Sequence, residues 1–180
     1  MKLSFSTRGW ADHSWDELVS TALEMDFSGI EIHNPIINAV FTGKGGPLDR
    51  YNCQATARAL RDKGLCIPAL DSSVDISAGE EQVQVAKELI DLAAAASVEK
   101  VVVVVQNDDE GAIHAALNEL VPYAEANGVV LLIESSGIFS STSRMAGIMD
   151  RYASDYLGTL WDVYNVYRTG GETPAQTVKN

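Results

Sequence analysis

Basic residues are scarce in this sequence. Its 180 residues include 13 lysines and arginines against 25 aspartates and glutamates, for a net charge of -12 at pH 7, and the basic residues form no cluster. A protein that binds DNA or RNA gathers positive charge against the phosphate backbone. The sequence therefore predicts no nucleic-acid partner.

Long hydrophobic runs and cysteines are also few. No run reaches the roughly 20 apolar residues of a membrane-spanning helix, and the N terminus lacks the apolar core of a secretory signal. We therefore expect a soluble, cytoplasmic protein without a membrane partner. Cys53 and Cys66 are too far apart for a Cys-x-x-Cys pair, which argues against a zinc knuckle or a redox motif and favours buried free thiols.

Two glycine-rich nucleotide-binding signatures are missing as well. The segment 42–47 contains three glycines but lacks the Gly-Lys-Ser/Thr ending of a phosphate loop, so we expect 36–48 to be a long loop beside an active site. The first predicted strand leads into Ser6-Thr7-Arg8-Gly9-Trp10 instead of Gly-x-Gly-x-x-Gly. A dinucleotide-binding fold loses its main support there.

The chain does contain a repeat of short apolar runs and amphipathic helices. At 180 residues and 46% hydrophobic content it can bury one sizeable core, so one domain over 1–180 is the simplest organisation. Strands are predicted to begin near residues 2, 29, 65, 100, 129 and 158, with a helix or a loop and a helix between each pair. This period of roughly 30 residues is the size of a βαβ unit and predicts an α/β fold.

Several element boundaries follow from local signals. Ser14 and Glu17 form a capping-box pattern that predicts a helix from Ser14 to about residue 25. Strand three is expected over 65–71, and a helix over 80–96. Pro122 is expected to kink the helix after strand four or to split it in two.

Two apolar strands end on carboxylates. The first reads VVLLIE and ends at Glu134, and the second reads LGTLWD and ends at Asp162. Neighbouring parallel strands end at the same edge of the sheet, where α/β proteins bind their ligands. Two carboxylates in one pocket repel unless a cation or a shared proton compensates them, which favours a hard divalent metal. The alternative is a pair of structural carboxylates bonded to loop amides.

Four segments in order and spacing carry a family resemblance: LSFS at 3–6, GIEIH at 29–33, NGVVLLIE at 127–134 and GTLWD at 158–162. Together they resemble the xylose isomerase-like TIM-barrel superfamily, the sugar phosphate isomerases and epimerases together with the apurinic-site endonucleases. The resemblance implies a TIM (β/α)8-type barrel that is incomplete, with about six βα units present. A whole barrel needs about 250 residues, so we expect an N-terminal portion truncated at the C terminus, without the last two units.

The same resemblance implies a metal-dependent sugar or sugar-phosphate isomerase or epimerase. In such enzymes Glu134 and Asp162 would bind a divalent ion (Mn, Mg, Co or Zn), and Glu134 would also move a proton next to a carbonyl through an enediolate. Asn165 stands where the family commonly has a histidine and is expected to hydrogen-bond a substrate hydroxyl. The remaining ligands, usually a histidine on strand seven and a glutamate on strand eight, are expected beyond Asn180. The chain alone would then hold half a metal site, with no metal bound.

Two residues near the start of the chain are further candidates for contact with a sugar or sugar phosphate. His33 shares one face of strand two with Glu31, so it is expected either to contact substrate or to bond Glu31 as an internal pair. Arg8 is expected to bind a phosphate or carboxylate of the substrate, or else to pair with an acidic loop. His114 is expected on the solvated side of its helix, without a functional role.

Two other functions stay open. The chain is alternatively a non-catalytic fragment or a binding module of a larger protein, and it is expected to be inactive alone. An apurinic-site endonuclease is less favoured, because a three-zinc site needs histidines at several strand ends and the sequence has three in all.

The first testable prediction concerns association. The first and sixth strands of an incomplete barrel would expose unpaired backbone donors and acceptors. We therefore expect the chain to form a homodimer through these edge strands. Light scattering at high protein concentration tests this, and a clean monomer would count against it.

Overall fold

A computed structural model describes every residue from Met1 to Asn180. Six strands alternate with helices and lie in one sheet in the order β1-β2-β3-β4-β5-β6. The strands are Ser4–Ser6 (β1), Gly29–His33 (β2), Leu70–Asp75 (β3), Lys100–Val104 (β4), Val130–Glu134 (β5) and Leu157–Leu160 (β6). The strands are parallel, as in the pairs β1–β2, β2–β3 and β5–β6. This confirms the α/β class and the βα repeat, while association through β1 and β6 stays a prediction.

Eight α-helices and two short 3-10 helices connect the strands. The α-helices are Trp15–Glu24 (α1), Ala39–Thr42 (α2), Cys53–Asp62 (α3), Glu80–Ala96 (α4), Glu110–Asn127 (α5), Thr142–Met149 (α6), Val163–Arg168 (α7) and Pro174–Thr177 (α8). The 3-10 helices are Thr7–Gly9 and Gly137–Ser140. None of the helices combines the length and the apolar character that crossing a membrane requires.

The chain divides into two compact units, of which the first comprises Met1–Ser72 and Leu89–Val101. The side chains of Ile30 and Ile32 on β2 are fully buried, and α1 buries Leu18 and Ala22. The predicted capping box begins α1: the backbone N–H of Ser14 donates to the Glu17 carboxylate, and Glu17 N–H donates to the Ser14 hydroxyl. The bond from the Ser14 backbone holds the pKa of the Glu17 carboxyl below its usual value.

The second unit comprises Ser73–Glu88 and Val102–Asn180. Its core contains Val102, Val103 and Val104 of β4, the apolar face of α5 and the inward residues of β5. The parallel register of β5 and β6 runs from Leu131 opposite Leu157 to Glu134 opposite Leu160. The dense apolar runs of the sequence thus lie in strands that are covered by helices.

Strand three differs from the prediction. It runs over Leu70–Asp75, whereas 65–71 was expected, and Cys66 forms only an isolated bridge with Gly29. Pro68 has no N–H to donate to a ladder, so regular pairing begins after it. Cys66, expected to be buried, is exposed, whereas Cys53 is buried as predicted.

Two boundaries near the later strands also differ. The helix α5 is one continuous helix through Pro122, so the expected split is wrong while the expected kink stays a prediction. Pro122 lies on the exposed face, where water can satisfy the carbonyl that loses its partner. The sixth strand ends at Leu160, two residues before Asp162, because Asp162 instead caps α7. Trp161, which lies between Leu160 and Asp162, is 45% exposed.

Gly137, in the turn after β5, provides a test of the local backbone. Its φ is +55°, and a Cβ atom there would lie 2.6 Å from the Val105 carbonyl oxygen. We predict that Gly137→Ala lowers the free energy of unfolding by more than about 1 kcal/mol, measured by urea denaturation.

Gly147→Ala is the matched control. Gly147 lies in α6 with no atom within 4 Å of its added Cβ, and alanine there should stabilise by about 0.5–1 kcal/mol. Equal effects of the two substitutions would contradict the prediction.

Candidate functional site

Glu134 is the last residue of β5 and is 9% exposed. The β ladder continues one residue further, because Ser135 N–H donates to the Leu160 carbonyl at 2.9 Å. The Ser135 hydroxyl then accepts a hydrogen bond from the backbone N–H of Asp162 at 2.8 Å. Ser135 therefore fixes the segment after β6 against the end of β5, a role that nothing in the sequence pattern indicates.

Asp162 begins α7 as its N-cap. Its Oδ1 accepts a hydrogen bond from the backbone N–H of Asn165 at 2.9 Å. This satisfies one of the backbone donors at the helix N terminus and orients the carboxylate. Asp162 is partly exposed. Its second oxygen, Oδ2, contacts the Asn165 side chain.

The Asn165 amide joins the two carboxylates. Its Nδ2 donates to Glu134 Oε1 at 3.2 Å and to Asp162 Oδ2 at 2.8 Å. One amide group has two N–H donors, so each carboxylate takes one of them. Glu134, Asp162 and Asn165 therefore form one cluster in the second unit, as the strand-end pattern predicts. The bonds also fit the alternative in which the carboxylates are bound to amides, so their roles stay predictions.

Two buried hydroxyls lie in the turn that follows Glu134. The hydroxyls of Ser136 and Ser140 have no hydrogen-bond partner, although both residues are buried. Buried polar groups are nearly always paired with protein or ordered water. This turn therefore contains buried polar groups in addition to the two carboxylates, and no periodic pattern in the sequence indicates them.

His33 pairs with Asp71 in the first unit. Its Nδ1 lies 2.7 Å from Asp71 Oδ2, and the side chains are 14% and 9% exposed. The two residues are opposite each other in the parallel register of β2 and β3. His33 is thus half of an internal pair whose partner is Asp71 on the adjacent strand, while its expected bond to Glu31 and its expected contact with substrate stay predictions.

Arg8 lies in the 3-10 helix after β1 and is exposed. The expected salt bridge to an acidic loop is not formed, since Arg8 takes part in none of the ion pairs. Arg8 and His33 instead line one cleft of about 270 Å³ within the first unit.

His114 is not on a solvated surface as expected. It is half-buried, its ring stacks on Tyr152 with centroids 5.8 Å apart, and its Nδ1 lies 2.9 Å from the Tyr152 hydroxyl. Burial raises the pKa of the Tyr152 hydroxyl. These contacts join α5 to the turn after α6 and give His114 a packing role.

A family profile described as xylose isomerase-like TIM barrel matches residues 19–180. The chain belongs to this family. A comparison with curated protein sequences found no match. The resemblance carried by the strand-end segments is confirmed, and the fold is that of a (β/α)8-type barrel with six βα units described.

Solved structures share the fold of this xylose isomerase-like chain at low sequence identity. The IOLI protein with a bound zinc atom has a TM-score of 0.78 and 18% identity, over 100% of this chain and 68% of its own. D-psicose 3-epimerase, crystallised in the presence of D-fructose, has a TM-score of 0.75 and 10% identity, over 99% and 69%. The probable 3-DHS dehydratase AsbF from Bacillus anthracis has a TM-score of 0.72 and 18% identity, over 94% and 66%. The chain thus spans about two thirds of the length of each neighbour.

The oxygen atoms of Glu134 and Asp162 are the type of ligand that a divalent metal ion needs. Carboxylate oxygens are the ligands that hard divalent cations prefer. The ligands fall short in number, since no group of three or more His, Cys, Asp or Glu side chains is arranged to hold a metal ion. Glu134 and Asp162 by themselves supply part of a coordination sphere.

Removing the bridging amide tests whether it compensates the carboxylates. We predict that Asn165→Ala lowers the free energy of unfolding by about 1–3 kcal/mol, because two carboxylates lose a shared donor. Urea denaturation at neutral pH measures the loss.

Asn118→Ala is the control, since Asn118 is an exposed residue of α5, where substitutions usually change stability by less than about 0.5 kcal/mol. A loss for Asn165→Ala no larger than that for Asn118→Ala would contradict the compensating role.

Proposed function

We propose that this chain belongs to a metal-dependent sugar or sugar-phosphate isomerase or epimerase. The observation that carries the proposal is the cluster of Glu134, Asp162 and Asn165 at the ends of two adjacent parallel strands. This is the edge of the sheet where barrel enzymes bind substrate. The family and a neighbour that is a sugar epimerase support the choice of chemistry.

Glu134 and Asp162 would hold the metal through one or both of their oxygens. When bound, a divalent ion polarises the carbonyl and hydroxyl oxygens of a sugar. The neighbour with a bound zinc atom supports metal use in the family. The identity of the metal among Mn, Mg, Co and Zn is part of what the experiment below measures.

The proton transfer itself is assigned to Glu134. Its carboxylate accepts the proton from the carbon next to the carbonyl, the electron pair of that C–H bond becomes the double bond of an enediolate, and Glu134 returns the proton. The hydrogen bond from Asn165 Nδ2 orients Oε1 of Glu134. The side-chain amide oxygen of Asn165, Oδ1, stays available as an acceptor for a substrate hydroxyl.

A non-catalytic binding module is the second candidate. It is favoured by one observation, the absence of any group of three metal-ligating side chains. A module of this kind would bind a sugar without exchanging its protons.

Proton exchange with solvent distinguishes the two candidates. The chain extended by the two further βα units that the family resemblance implies is incubated with D-fructose or D-fructose 6-phosphate in deuterated water with Mn²⁺, Mg²⁺, Co²⁺ or Zn²⁺, and deuterium at C1 and C3 is measured by NMR. The chain alone, which is expected to be inactive, is the comparison. We expect exchange above the rate without protein, and an about 100-fold or larger loss in Glu134→Gln, because that substitution removes the base. Asp162→Asn should weaken Mn²⁺ binding in calorimetry.

Glu125→Gln, an exposed glutamate of α5, is the control and should behave as the parent. Sugar binding without exchange would favour the binding module. Exchange that Glu134→Gln leaves unchanged would overturn the assignment of the base.

A further inference from the structure

His33 is held by two contacts that fix its ring. Its backbone N–H donates to the Thr7 hydroxyl at 2.9 Å, and its Nδ1 lies 2.7 Å from Asp71 Oδ2. An ionised carboxylate can only accept, so Nδ1 carries the proton in this bond. In a neutral imidazole the other nitrogen, Nε2, then has its lone pair exposed as an acceptor.

The backbone after His33 adopts an uncommon conformation that supports the His33–Asp71 pair. Asn34, which follows His33, has a φ of +48°, and its N–H donates to the Asp71 carbonyl at 2.8 Å. A left-handed conformation in a residue other than glycine persists where the surroundings determine it, often at functional sites. Both ends of Asp71, its carbonyl and its carboxylate, are thereby bound to the turn that presents His33.

His33 and Arg8 line the same cleft of about 270 Å³, with Trp10 and His13 beside them. No hydrogen bond engages His33 Nε2, and neither a hydrogen bond nor an ion pair engages the Arg8 guanidinium. The lining of this cleft therefore includes a histidine with one unengaged ring nitrogen and, in Arg8, its one permanently charged basic residue, in a chain of net charge -12. Trp10 adds an aromatic wall, whose ring packs edge-on against His13 at 5.0 Å.

We propose that the first unit contains a binding site for a small polyhydroxylated anion, with Arg8 binding its oxyanion and His33 Nε2 accepting a hydrogen bond from a hydroxyl. Asp71 is the positioning residue that keeps the acceptor nitrogen free. The ligand class is a polyol that carries a phosphate or a carboxylate. A guanidinium binds either oxyanion through paired N–H donors, which a neutral polyol cannot use as well. This site lies in the first unit alone and does not depend on proton transfer at Glu134.

Nitrogen NMR of the histidine rings tests the site, because the chain has three histidines. The probes are D-fructose 6-phosphate, D-gluconate, D-fructose and inorganic phosphate. We expect His33 to show the Nδ1–H tautomer and to shift on saturation with one or both anionic polyols, which distinguishes a phosphate from a carboxylate ligand. D-fructose should bind at least about tenfold more weakly. His114, whose ring contacts Tyr152, should not shift.

Variants separate the two contacts. Arg8→Gln should weaken the anionic polyol at least about tenfold and leave D-fructose unchanged, whereas Arg58→Gln, an exposed arginine of α3, should change neither. Asp71→Asn should alter the His33 tautomer, and the Arg8 comparison stands alone if that variant does not fold. Equal binding of charged and neutral polyols, no saturable shift of His33, or no effect of Arg8→Gln would overturn the proposal. The Glu134→Gln variant, which should lose deuterium exchange, should keep the His33 NMR shift and the binding of the anionic polyol unchanged. The two proposals can therefore fail independently.

Discussion

The parallel register of β5 with β6 is the constraint on which the carboxylate cluster depends. It places Glu134 opposite Leu160, so the chain after β6 passes directly beside the end of β5. Ser135 holds that passage through the backbone of Asp162, and Asp162 then begins α7. A shift of one residue would turn Glu134 to the other face of the sheet and would separate it from Asn165.

The same register lets one amide group donate a hydrogen bond to each of the two carboxylates. Two carboxylates that share a small volume repel each other, and the structure supplies a neutral amide with two donors between them. An amide of this kind orients carboxylates without cancelling their charge. The cluster therefore keeps its attraction for a cation, which is the property that a metal-dependent isomerase needs.

In the first unit, a parallel register likewise brings two polar side chains together, those of His33 and Asp71. The register of β2 and β3 brings His33 opposite Asp71, and the carboxylate determines which ring nitrogen is available. In both units, the candidate site residue stands at the end of a strand, and its partner comes from the neighbouring strand or from the segment that follows it. Residues at strand ends are held more rigidly than residues in loops, so their side chains are oriented more precisely.

The sequence by itself predicted the βα repeat and the convergence of Glu134 with Asp162, because strand periodicity and the alternation with helices are local properties. The family and the place of Asn165 followed from the resemblance that its strand-end segments carry. The sequence also determined the capping box of α1, which depends on residues three apart. Only the tertiary structure decided that Asp71 is the partner of His33 and that the Asn165 amide reaches Glu134. Those outcomes depend on which residues face each other across strands that are 30 or more residues apart in the chain, and spacing within one strand carries no record of that register.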